Sequence, residues 1–410
     1  GFDLPLALAI LSASGEIGAM PDGWAAFGEL SLMGALLPVR GALSMALAAR
    51  DAGTRALLVP MDNLAEIARV DGLRIAGAHH LDQVVSILAG KEPGCGPARE
   101  RETDRDSPST RVDAASIRGQ PMACRALEIA AAGHHALLMV GSPGSGKTSL
   151  ARILPSLLPP LEEWERLEVA RIHGAAGMPD RDPAAGGLPP FRAPHHTCTL
   201  AAMAGGGASP RPGEMSLAHR GVLFLDEMTE FAPQVLDALR TPLEEGEVRL
   251  SRFPAPYRFP ADFLLVGAAN PCHCGLLYEE HPPCRCTPEQ RDRHWRRLSG
   301  PLLDRVDLFV EMRRLSGEDL ALTLERPDPV SQDTMRRIRN ARERQKARTP
   351  SGIQPAWNGR IRESPLADRL VIPKSVYRHA ADCADALHLS VRSYQKTLRV
   401  ARTLADLDGT

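Results

Sequence analysis

The octapeptide GSPGSGKT at residues 141–148 is the feature that most constrains what this chain can fold into. It matches G-x-x-x-x-G-K-[ST], the loop whose backbone N–H groups cradle a phosphate chain. The apolar run ALLMV at residues 136–140 predicts a buried strand before the loop, and residues 149–154 predict a short helix that ends at Pro155. A strand, a glycine loop and a helix in this order are the setting in which the pattern binds a nucleotide. The sequence therefore predicts a nucleotide-binding α/β core around this loop.

Each position of the loop has an expected role in binding a nucleoside triphosphate. The glycines let consecutive N–H groups turn toward the phosphates, and the start of the helix adds the positive end of its dipole. Lys147 supplies a charge at the β- and γ-phosphates, and the hydroxyl of Thr148 is a ligand for Mg²⁺. The alternative, a Gly/Pro/Ser turn that happens to contain a lysine, is disfavoured because the whole pattern is matched. The predicted nucleotide-binding residues are Gly141, Ser142, Pro143, Gly144, Ser145, Gly146, Lys147, Thr148 and Ser149.

Two further apolar strands are predicted to end in polar residues that serve hydrolysis. In GVLFLDE, residues 221–227, Asp226 would hold the Mg²⁺ shell and Glu227 would orient and activate the attacking water. The alternative is a buried strand that ends in an acidic helix cap, but the phosphate loop upstream favours the catalytic interpretation. Asn270 ends FLLVGAAN, where its side chain can lie between the water and the γ-phosphate, or else cap a turn before Pro271.

Two arginines are candidates for completing the catalytic site. Arg305 lies in LLDRVD, where it could reach the γ-phosphate bound by a neighbouring subunit and stabilise charge in the transition state. An ion pair with Asp304 or Asp307 at a helix end is the alternative, and spacing alone favours it. Arg392, near the start of the last long helix, is a second candidate of the same kind, with a solvent-exposed helix face as its alternative.

Four cysteines form two closely spaced C-x-C pairs, at Cys272, Cys274, Cys284 and Cys286. Four thiolates are the number that a tetrahedral structural Zn²⁺ requires, although the C-x-C spacing is tighter than the common C-x₂-C. Free or partly ligating thiols in a loop are the alternative. We expect zinc in a structural role, because four cysteine ligands leave no open coordination position. The chain has eight cysteines, and their arrangement suits a reducing compartment, so we expect a cytoplasmic protein.

Charge and hydropathy restrict the partners. The formal net charge is −1, which argues against a generally basic nucleic-acid-binding surface but leaves room for DNA in a local channel. The longest apolar runs are far shorter than a membrane span, so we expect no membrane association. Arg249, Arg252 and Arg258 lie among aromatic residues in GEVRLSRFPAPYRFP, a predicted hairpin that suits a single nucleic-acid strand. An ordinary charged hairpin explains the same pattern equally well.

The chain divides into four segments by composition and pattern. Residues 1–90 predict a mixed α/β unit with strands at residues 27–32 and 55–59. Residues 91–113 are so charged and so poor in apolar residues that we expect a linker. Residues 114–313 contain the nucleotide motifs and the cysteine pairs. Residues 314–410 are predicted to be mostly helical, and Ser390 is a suitable N-cap for a helix that continues through Leu404.

Together these motifs resemble a known family, the magnesium-chelatase-like AAA+ ATPases, and within it the ComM/YifB branch. The resemblance covers nearly the whole chain and is carried by GSPGSGKT, FRAPHHT, PGEMSLAHRGVLFLDE, ANPC and RLSGPLLDRVDLFVE. It implies an AAA+ P-loop parallel sheet with a helical lid. It also implies a sensor role for Asn270, an arginine-finger role for Arg305 and a second sensor role for Arg392. The loops around Gly205–Glu214 and Arg249 would face the central pore of a ring.

Residues 1–90 resemble the Lon-protease-like α/β domain that precedes the ATPase in this family, through FDLPLALAIL, GELSLMGALLPVRGAL and ALLVPMDN. The chain begins inside that domain, so we expect the domain to be partial here. No lysine precedes Lys91, whereas a Lon-type peptidase needs a Ser–Lys dyad whose lysine would fall near Leu43. We therefore expect a non-proteolytic domain that serves assembly or contacts DNA.

The resemblance implies a hexameric, ATP-driven DNA motor that uses Mg²⁺. Such a motor would promote branch migration while incoming single-stranded DNA is integrated during natural transformation, with single-stranded and branched DNA as its partners. The main alternative is the ATPase subunit of a metal-chelatase complex, a motor that remodels a protein partner. A third possibility, a Lon-like protease fused to a motor, is disfavoured by the missing lysine.

Overall fold

The computed structural model describes residues 1–68, 70–92, 120–178, 187–207, 210–250, 256–315, 332–350, 356–362 and 366–410. The predicted linker lies almost wholly outside the described residues, as does Arg252. Contacts divide the described residues into two units, residues 1–92 with 166–178, and residues 120–165 with 187–410. Within the described ranges, every helix is too short or too polar to span a membrane.

The helices of the described residues are labelled here in chain order. They are α1 Asp3–Ala13, α2 Ala42–Asp51, α3 Leu64–Ile67, α4 Leu81–Leu88, α5 Pro121–Gly133, α6 Lys147–Leu157, α7 Glu163–Ala176, α8 Leu200–Ala204, α9 Glu214–Leu217, α10 Pro233–Asp237, α11 Arg240–Glu245, α12 Pro288–Trp295, α13 Gly300–Leu303, α14 Gln332–Ala347, α15 Leu366–Leu370, α16 Lys374–Ala386 and α17 Val391–Asp408.

The strands are labelled in the same way. They are β1 Trp24–Ala26, β2 Glu29–Leu30, β3 Leu36–Leu37, β4 Ala56–Pro60, β5 Arg74–Ala78, β6 Leu137–Gly141, β7 Phe191–Arg192, β8 Gly205–Gly206, β9 Arg211–Pro212, β10 Val222–Leu225, β11 Glu247–Leu250, β12 Tyr257–Pro260, β13 Leu264–Ala269 and β14 Leu308–Met312.

The first unit is built on a parallel sheet of three strands in the order β1-β4-β5. Strand β4 corresponds to the strand that the sequence predicts at residues 55–59, and all of its residues are buried. A second predicted strand, at residues 27–32, is shorter than expected. It is reduced to β2, whose two residues pair with β3 after the chain turns back. Ala170 of α7 is buried in the apolar core of this unit, whereas we expected residues 114–313 to belong to the nucleotide core.

The second unit is built on a parallel sheet of five strands in the order β14-β6-β13-β10-β7. The three central strands consist entirely of buried residues, as expected for a parallel sheet that helices cover on both faces. Because side chains alternate along a strand, Leu137 and Met139 join one apolar cluster and Leu138 and Val140 join the other. The first cluster includes residues of α5, α6, α14 and α17, and the second includes residues of α8 to α11 and α13.

The helix after the phosphate loop is longer than the sequence predicts. Helix α6 passes through Pro155, where we expected it to end, and continues to Leu157. A proline inside a helix removes one N–H···O bond, and here it lies in the last turn. Leu154 and Leu157 are both buried in the core, and their burial stabilises the additional turn.

The C-terminal helices pack on the face of the sheet that α5 covers. Helices α14 and α17 contact each other, and both contact α5. Ser390 caps α17 as predicted, since its hydroxyl accepts a hydrogen bond from Ser393 N at 3.2 Å, and the helix extends beyond the predicted end at Leu404. Asp406 is buried in the last turn and is held by Arg348 at 2.6 Å. A buried, paired carboxylate of this kind fixes the end of the helix against its neighbours.

Candidate nucleotide site and cysteine cluster

The phosphate loop joins the C-terminal end of β6 to the start of α6. Gly144 and Gly146 have φ angles of 80° and 91°, a left-handed conformation that residues with side chains disfavour. Gly146 is the N-cap residue, so Lys147 and Thr148 are the first two residues of α6. The first N–H groups of a helix have no partner within it, and together with the loop they form a concave surface that fits phosphate.

The side chain of Lys147 lies inside the loop. It is only 8% exposed, and its ammonium group donates to Gly141 O at 2.5 Å and to Ser142 O at 2.9 Å. Burial lowers the pKa of Lys147, while the charges of Asp226 and Glu227 act in the opposite direction. The lysine is therefore held at the position where a phosphate chain would lie, among groups of the opposite charge.

Thr148 and Asp226 are in direct contact, although they lie far apart in the sequence. The hydroxyl of Thr148 donates to Asp226 Oδ2 at 2.7 Å. Asp226 follows β10, whereas Thr148 belongs to the helix that follows β6, so the contact depends on the assembled sheet. A hydroxyl and a carboxylate oxygen are ligands that Mg²⁺ prefers, and this pair fits the predicted magnesium site.

Glu227 follows Asp226 in an unusual backbone conformation. Its φ angle is 49°, in the left-handed region, and its N–H donates to Asp226 Oδ1 at 3.0 Å. The Glu227 side chain is 54% exposed, and its Oε2 lies 3.4 Å from Nδ1 of His196. The sequence assigned no chemistry to this histidine. Only the structure shows that His196 lies beside Glu227, because it reveals that β7 and β10 are neighbouring strands.

Asn270 lies at the same edge of the sheet, directly after β13. Its Oδ1 is 3.5 Å from the ammonium group of Lys147, and its backbone oxygen is 2.9 Å from Nε2 of His294. The asparagine side chain therefore faces the phosphate loop, at the position that a sensor of the γ-phosphate requires. Lys147, Thr148, Asp226, Glu227 and Asn270 thus converge on one place.

The four predicted zinc ligands also converge. The sulfur atoms of Cys272, Cys274, Cys284 and Cys286 all lie within 4.8 Å of one another. Three of the Sγ–Sγ distances are 3.4, 3.6 and 3.5 Å. Tetrahedral zinc with bonds of about 2.3 Å to sulfur requires Sγ–Sγ distances of about 3.8 Å. The arrangement therefore fits a structural zinc site.

The environment of the cluster favours thiolate at one position. Burial and hydrogen bonds with the neighbouring thiols raise the pKa of Cys272 to about 12. Burial also acts to raise the pKa of Cys274, but hydrogen bonds with the backbone at Leu276 and Arg285 outweigh it and lower that pKa to about 6. A cation binds thiolates and not thiols, so the low pKa of Cys274 assists metal binding.

The cysteine loop contacts the nucleotide site. Gly275 lies against Pro143 of the phosphate loop, because a Cβ atom placed on Gly275 would be 2.7 Å from Pro143 Cδ. On the other side of the cluster, Arg291 donates to Cys284 Sγ at 3.7 Å, and Trp295 Nε1 donates to Pro271 O at 3.1 Å. The cluster thus supports both the phosphate loop and the turn that follows Asn270.

The two predicted catalytic arginines lie away from this site within one chain. Arg305 precedes β14, at the N-terminal edge of the sheet, whereas the phosphate loop follows the C-terminal end of β6. Its guanidinium group is paired with Glu244 and donates to Pro301 O. Arg392 is mostly exposed and lies 3.8 Å from Asp304. The structure therefore does not bring Arg305 and Arg392 to the nucleotide site of their own chain.

The predicted DNA-binding hairpin exists, and its charges are balanced. Strands β11 and β12 pair in an antiparallel manner, with Arg249 directly opposite Arg258. Arg249 contacts Glu247 at 2.5 Å and Glu245 at 2.8 Å, and Arg258 lies 4.0 Å from Glu247. Arg252 lies outside the described residues. In the described part of the hairpin, the two arginines are therefore accompanied by two carboxylates.

A five-stranded parallel sheet in this order, with the hydrolysis motifs at one edge and helices α14 and α17 beside it, defines the AAA+ class of P-loop ATPases. Comparison with known sequences then identifies the family. Residues 113–320 match the family described as magnesium chelatase, subunit ChlI, and residues 329–410 match its C-terminal region. Residues 1–63 match a third description, subunit ChlI of Mg-chelatase.

Several relatives are similar to this chain over nearly the whole of its length. An uncharacterized protein of Mycobacterium tuberculosis H37Rv is 43% identical over 416 residues, which covers 100% of this chain and 80% of the relative. The uncharacterized protein YifB of Escherichia coli K12 is 41% identical over 408 residues, covering 99% and 78%. Competence protein ComM of Haemophilus influenzae Rd is 39% identical over 422 residues, covering 100% and 79%. The chain belongs to the ComM/YifB family of magnesium-chelatase-like AAA+ proteins.

Proposed function

We propose that this protein is an ATP-driven ring motor that acts on DNA in the cytoplasm. It promotes branch migration when single-stranded DNA is integrated during natural transformation or homologous recombination. The observation that carries the proposal is the similarity of the whole chain to a protein named competence protein ComM. Competence is the state in which cells take up DNA, so a motor in this process has DNA as its natural substrate.

The hydrolysis step follows from the residues at the sheet edge. Lys147 and the loop amides bind the β- and γ-phosphates. Thr148 and Asp226 would hold Mg²⁺, which would supply positive charge beside the phosphates. Glu227 accepts a proton from the attacking water and directs it at the γ-phosphate. Asn270 fixes the position of that water, because its side chain faces Lys147.

The proposed roles of the two arginines require a ring of identical subunits. Each chain carries the phosphate loop at one edge of its sheet and Arg305 at the opposite edge. Head-to-tail assembly places the arginine of one copy beside the nucleotide of the next, and closure of such contacts gives a ring, here a hexamer. In that assembly Arg305 releases Glu244 and binds the γ-phosphate of the neighbouring copy. Arg392 acts beside Arg305, because its guanidinium group lies 3.8 Å from Asp304, the residue that precedes Arg305.

DNA contact is assigned to the hairpin of β11 and β12 and to the ribbon of β8 and β9. Arg249 and Arg258 lie side by side on the hairpin, and Arg252 is near them in the sequence. The ion pairs of Arg249 with Glu245 and Glu247 are exposed, and exposed pairs contribute little stability. Phosphates of a DNA strand can therefore displace the carboxylates at little cost.

A joint-molecule migration assay tests the proposal. The wild-type protein is compared with Glu227→Gln, which keeps the shape of the side chain but cannot accept a proton. We expect the variant to bind ATP and DNA as the wild type does and to migrate branches at least about 100-fold more slowly, the usual contribution of a general base. Migration of the Glu227→Gln variant at the wild-type rate would contradict the catalytic assignment.

Glu230→Gln is the matched control. Glu230 lies three residues further along the chain, pairs with Arg297 at 2.6 Å on the surface, and undergoes the same chemical change. The loss of an exposed ion pair costs at most about 1 kcal/mol. We therefore expect this variant to migrate branches at nearly the wild-type rate.

The alternative function is that of an ATPase subunit that remodels a protein partner in a metal-chelatase complex. The family description, magnesium chelatase subunit ChlI, supports it. Salt-dependent binding of single-stranded DNA in the presence of ATP separates the two functions. Absence of binding at low salt, or binding that is unchanged when Arg249 and Arg252 are both replaced by Ala, favours the alternative.

For residues 1–90 we propose a non-proteolytic Lon-like domain that serves ring assembly or contacts DNA. The absence of lysine from residues 1–90 supports this proposal, because a Lon-type peptidase activates its serine with a lysine. Cleavage of casein by the full-length protein would contradict it.

A further inference from the structure

We propose that His294 and Trp295, at the end of α12, are positioning residues for Asn270 in ATP hydrolysis. This inference rests on the proposed ATPase function and on the sensor role of Asn270 within it. His294 Nε2 donates to the backbone oxygen of Asn270 at 2.9 Å, and Trp295 Nε1 donates to that of Pro271 at 3.1 Å. Both side chains contact backbone oxygens, so they act through the chain that carries the sensor and not on the nucleotide itself.

The backbone of Asn270 lies just beyond the part of the chain that the sheet supports. The last residue pair between β13 and β6 is Ala269 with Val140, so Asn270 follows the end of this ladder. Pro271 comes next and has no N–H group to donate. The sheet therefore fixes the chain as far as Ala269, and the two donors of α12 fix the residues that follow it.

Helix α12 is well suited to hold these donors in place. Its N-terminus is closed by a capping box, in which Thr287 Oγ1 accepts from Gln290 N at 3.3 Å and Gln290 Oε1 accepts from Thr287 N at 3.0 Å. Residues three and four apart lie on the same side of a helix, so Arg291, His294 and Trp295 share one face. This face of α12 is directed at the sensor and at the cysteine cluster.

The cysteine cluster determines where α12 begins. The chain enters the cluster at Cys272, two residues after Asn270, and leaves it at Cys286, directly before the helix. From within the helix, Arg291 donates to Cys284 Sγ at 3.7 Å. The segment between the sensor and α12 is thus gathered at the cluster, and the helix returns to the strand end from which the segment departs.

The donor groups are themselves held by packing. The side chain of His294 is buried, with 7% of the residue exposed. Its ring lies 6.0 Å from the ring of Trp295 at an angle of 87°, an edge-to-face arrangement that aromatic pairs favour. Trp295 also packs against the second apolar cluster of this unit. Since a buried polar group without its hydrogen bond is costly, these side chains restrain the backbone oxygens that they contact.

The sensor needs an accurately placed backbone. Asn270 Oδ1 lies 3.5 Å from the ammonium group of Lys147, which leaves the amide nitrogen of Asn270 to donate to the water or to the γ-phosphate. A shift of the Asn270 backbone moves this amide by a similar distance. A misplacement of about 1 Å in a catalytic site can cost about 100-fold in rate.

The experiment measures steady-state ATP hydrolysis by the full-length protein with Mg²⁺ and without DNA. His294→Phe keeps an aromatic ring and removes the donor. We expect kcat to fall by about tenfold or more, with KM nearly unchanged, because Lys147 and the phosphate loop still bind ATP. His294→Gln should recover most of the loss, because its Nε2 stands the same number of bonds from Cα as the histidine Nε2. A loss that His294→Gln does not recover would assign the effect to packing and overturn the inference.

Trp295→Phe is a second, independent variant. It removes the donor to the Pro271 oxygen and keeps a ring against the apolar cluster, so it tests the inference even if His294→Phe does not fold. We expect the same change, a lower kcat with KM nearly unchanged. His379→Phe, at an exposed histidine of α16, is the control and should keep the wild-type kcat. Wild-type kcat in both α12 variants, or an equal loss in His379→Phe, would overturn the inference.

A double variant shows whether the effect passes through the sensor. In an Asn270→Ala background, His294→Phe should cause no further loss of kcat, because residues that act as one unit are not additive. A further loss of tenfold or more would mean that His294 acts by another route and would contradict the inference.

The outcomes separate this inference from the proposed function. A wild type that hydrolyses ATP but is neither stimulated by DNA nor able to migrate branches contradicts the DNA motor and leaves the role of α12 intact. Variants of His294 and Trp295 with wild-type kcat contradict the role of α12 and leave the motor intact. An Asn270→Ala variant with wild-type kcat contradicts the sensor assignment and this inference together.

Discussion

Gly275 of the cysteine loop packs directly against Pro143 of the phosphate loop. A Cβ atom on Gly275 would come within 2.7 Å of Pro143 Cδ and 2.9 Å of Pro143 Cγ, closer than real Cβ contacts allow. Gly275 follows Cys274 by one residue, so the thiol cluster and the phosphate loop share a boundary. The cysteine cluster therefore supports the nucleotide site as well as its own loop.

The first prediction concerns this boundary. Gly275→Ala should weaken ATP binding, because the new methyl group pushes on Pro143 and displaces the phosphate loop. The φ angle of 77° adds strain of about 1–2 kcal/mol for alanine, which lowers the stability of the folded chain with and without ATP alike. We expect the displaced loop to lower the affinity for ATP by about tenfold, or about 1.4 kcal/mol. Fluorescence titration with a labelled ATP analogue measures the change.

Gly300→Ala is the control for that prediction. Gly300 is the exposed first residue of α13 in the second unit, where a Cβ atom meets nothing within 4 Å and the φ angle is ordinary. We expect its affinity for ATP to equal that of the wild type. Equal affinities for Gly275→Ala and Gly300→Ala would show that the cysteine loop does not influence the phosphate loop.

The second prediction concerns zinc. Purified protein should contain about one zinc per chain, as a four-cysteine site requires. Cys274→Ser should reduce the zinc content and also weaken ATP binding, because the ligand with the lowered pKa is lost and the loop at Gly275 is released. Metal analysis and the same titration measure both effects. Cys383→Ser, a change at an exposed cysteine outside the cluster, is the control.

Less than about half a zinc per chain in the wild type would exclude the four-cysteine site. Alternatively, the wild type contains about one zinc per chain and keeps its ATP affinity after a chelator removes the metal. That result would show a structural zinc site that does not influence ATP binding.

The third prediction concerns the hairpin. Glu247→Gln removes a carboxylate that contacts Arg249 at 2.5 Å and lies 4.0 Å from Arg258. If DNA replaces this carboxylate, the variant should bind single-stranded DNA more tightly than the wild type, whereas Arg249→Ala should bind more weakly. Each phosphate contact that is lost reduces the slope of log K against log salt by about 0.7. Anisotropy titrations at several salt concentrations measure both quantities.

Glu343→Gln serves as the control for charge alone. Glu343 is an exposed carboxylate on α14 that pairs with Lys346 at 3.3 Å, and its loss changes the net charge by the same amount. If Glu343→Gln strengthens DNA binding as much as Glu247→Gln does, the effect is due to net charge and the hairpin is not the contact.

The sequence alone predicts those features of the fold and the site that depend on a short segment of neighbouring residues. GSPGSGKT, VLFLDE and FLLVGAAN each combine a buried apolar run with the polar residues that follow it, and parallel strands bring such ends to one edge of a sheet. The structure places Lys147, Thr148, Asp226, Glu227 and Asn270 together at that edge. The N-cap at Ser390 was also predictable, because capping depends on a few neighbouring residues.

The remaining features depend on contacts that no local pattern encodes. His196 follows β7 and Glu227 follows β10, and the two side chains lie 3.4 Å apart because these strands are neighbours in the sheet. Ala170 was assigned to the nucleotide core because its neighbours in sequence belong there, yet its burial is in the first unit. Pro155 indicated a helix end, and the burial of Leu157 outweighs the lost hydrogen bond. In each case tertiary packing decides the outcome.

The last prediction concerns stability in acid. His134 is buried, and this burial together with the charge of Arg360 lowers its pKa from 6.5 to about 3. Between these pH values the unfolded chain binds a proton at His134 that the folded chain does not bind. The free energy of unfolding therefore falls as the pH decreases from 6.5 toward 3, by up to about 1.4 kcal/mol per pH unit from this residue.

His134→Asn should reduce that dependence, because asparagine does not titrate and tolerates the left-handed conformation of residue 134, whose φ angle is 57°. His388→Asn is the matched control, since His388 has a φ angle of 51° but is exposed. Urea unfolding at pH 6.5, 5.5 and 4.5 measures the three proteins. We expect the wild type and His388→Asn to lose stability in parallel as the pH falls, and His134→Asn to lose less. Parallel loss in all three proteins would show that His134 is protonated in the folded chain, in contradiction to its burial beside Arg360.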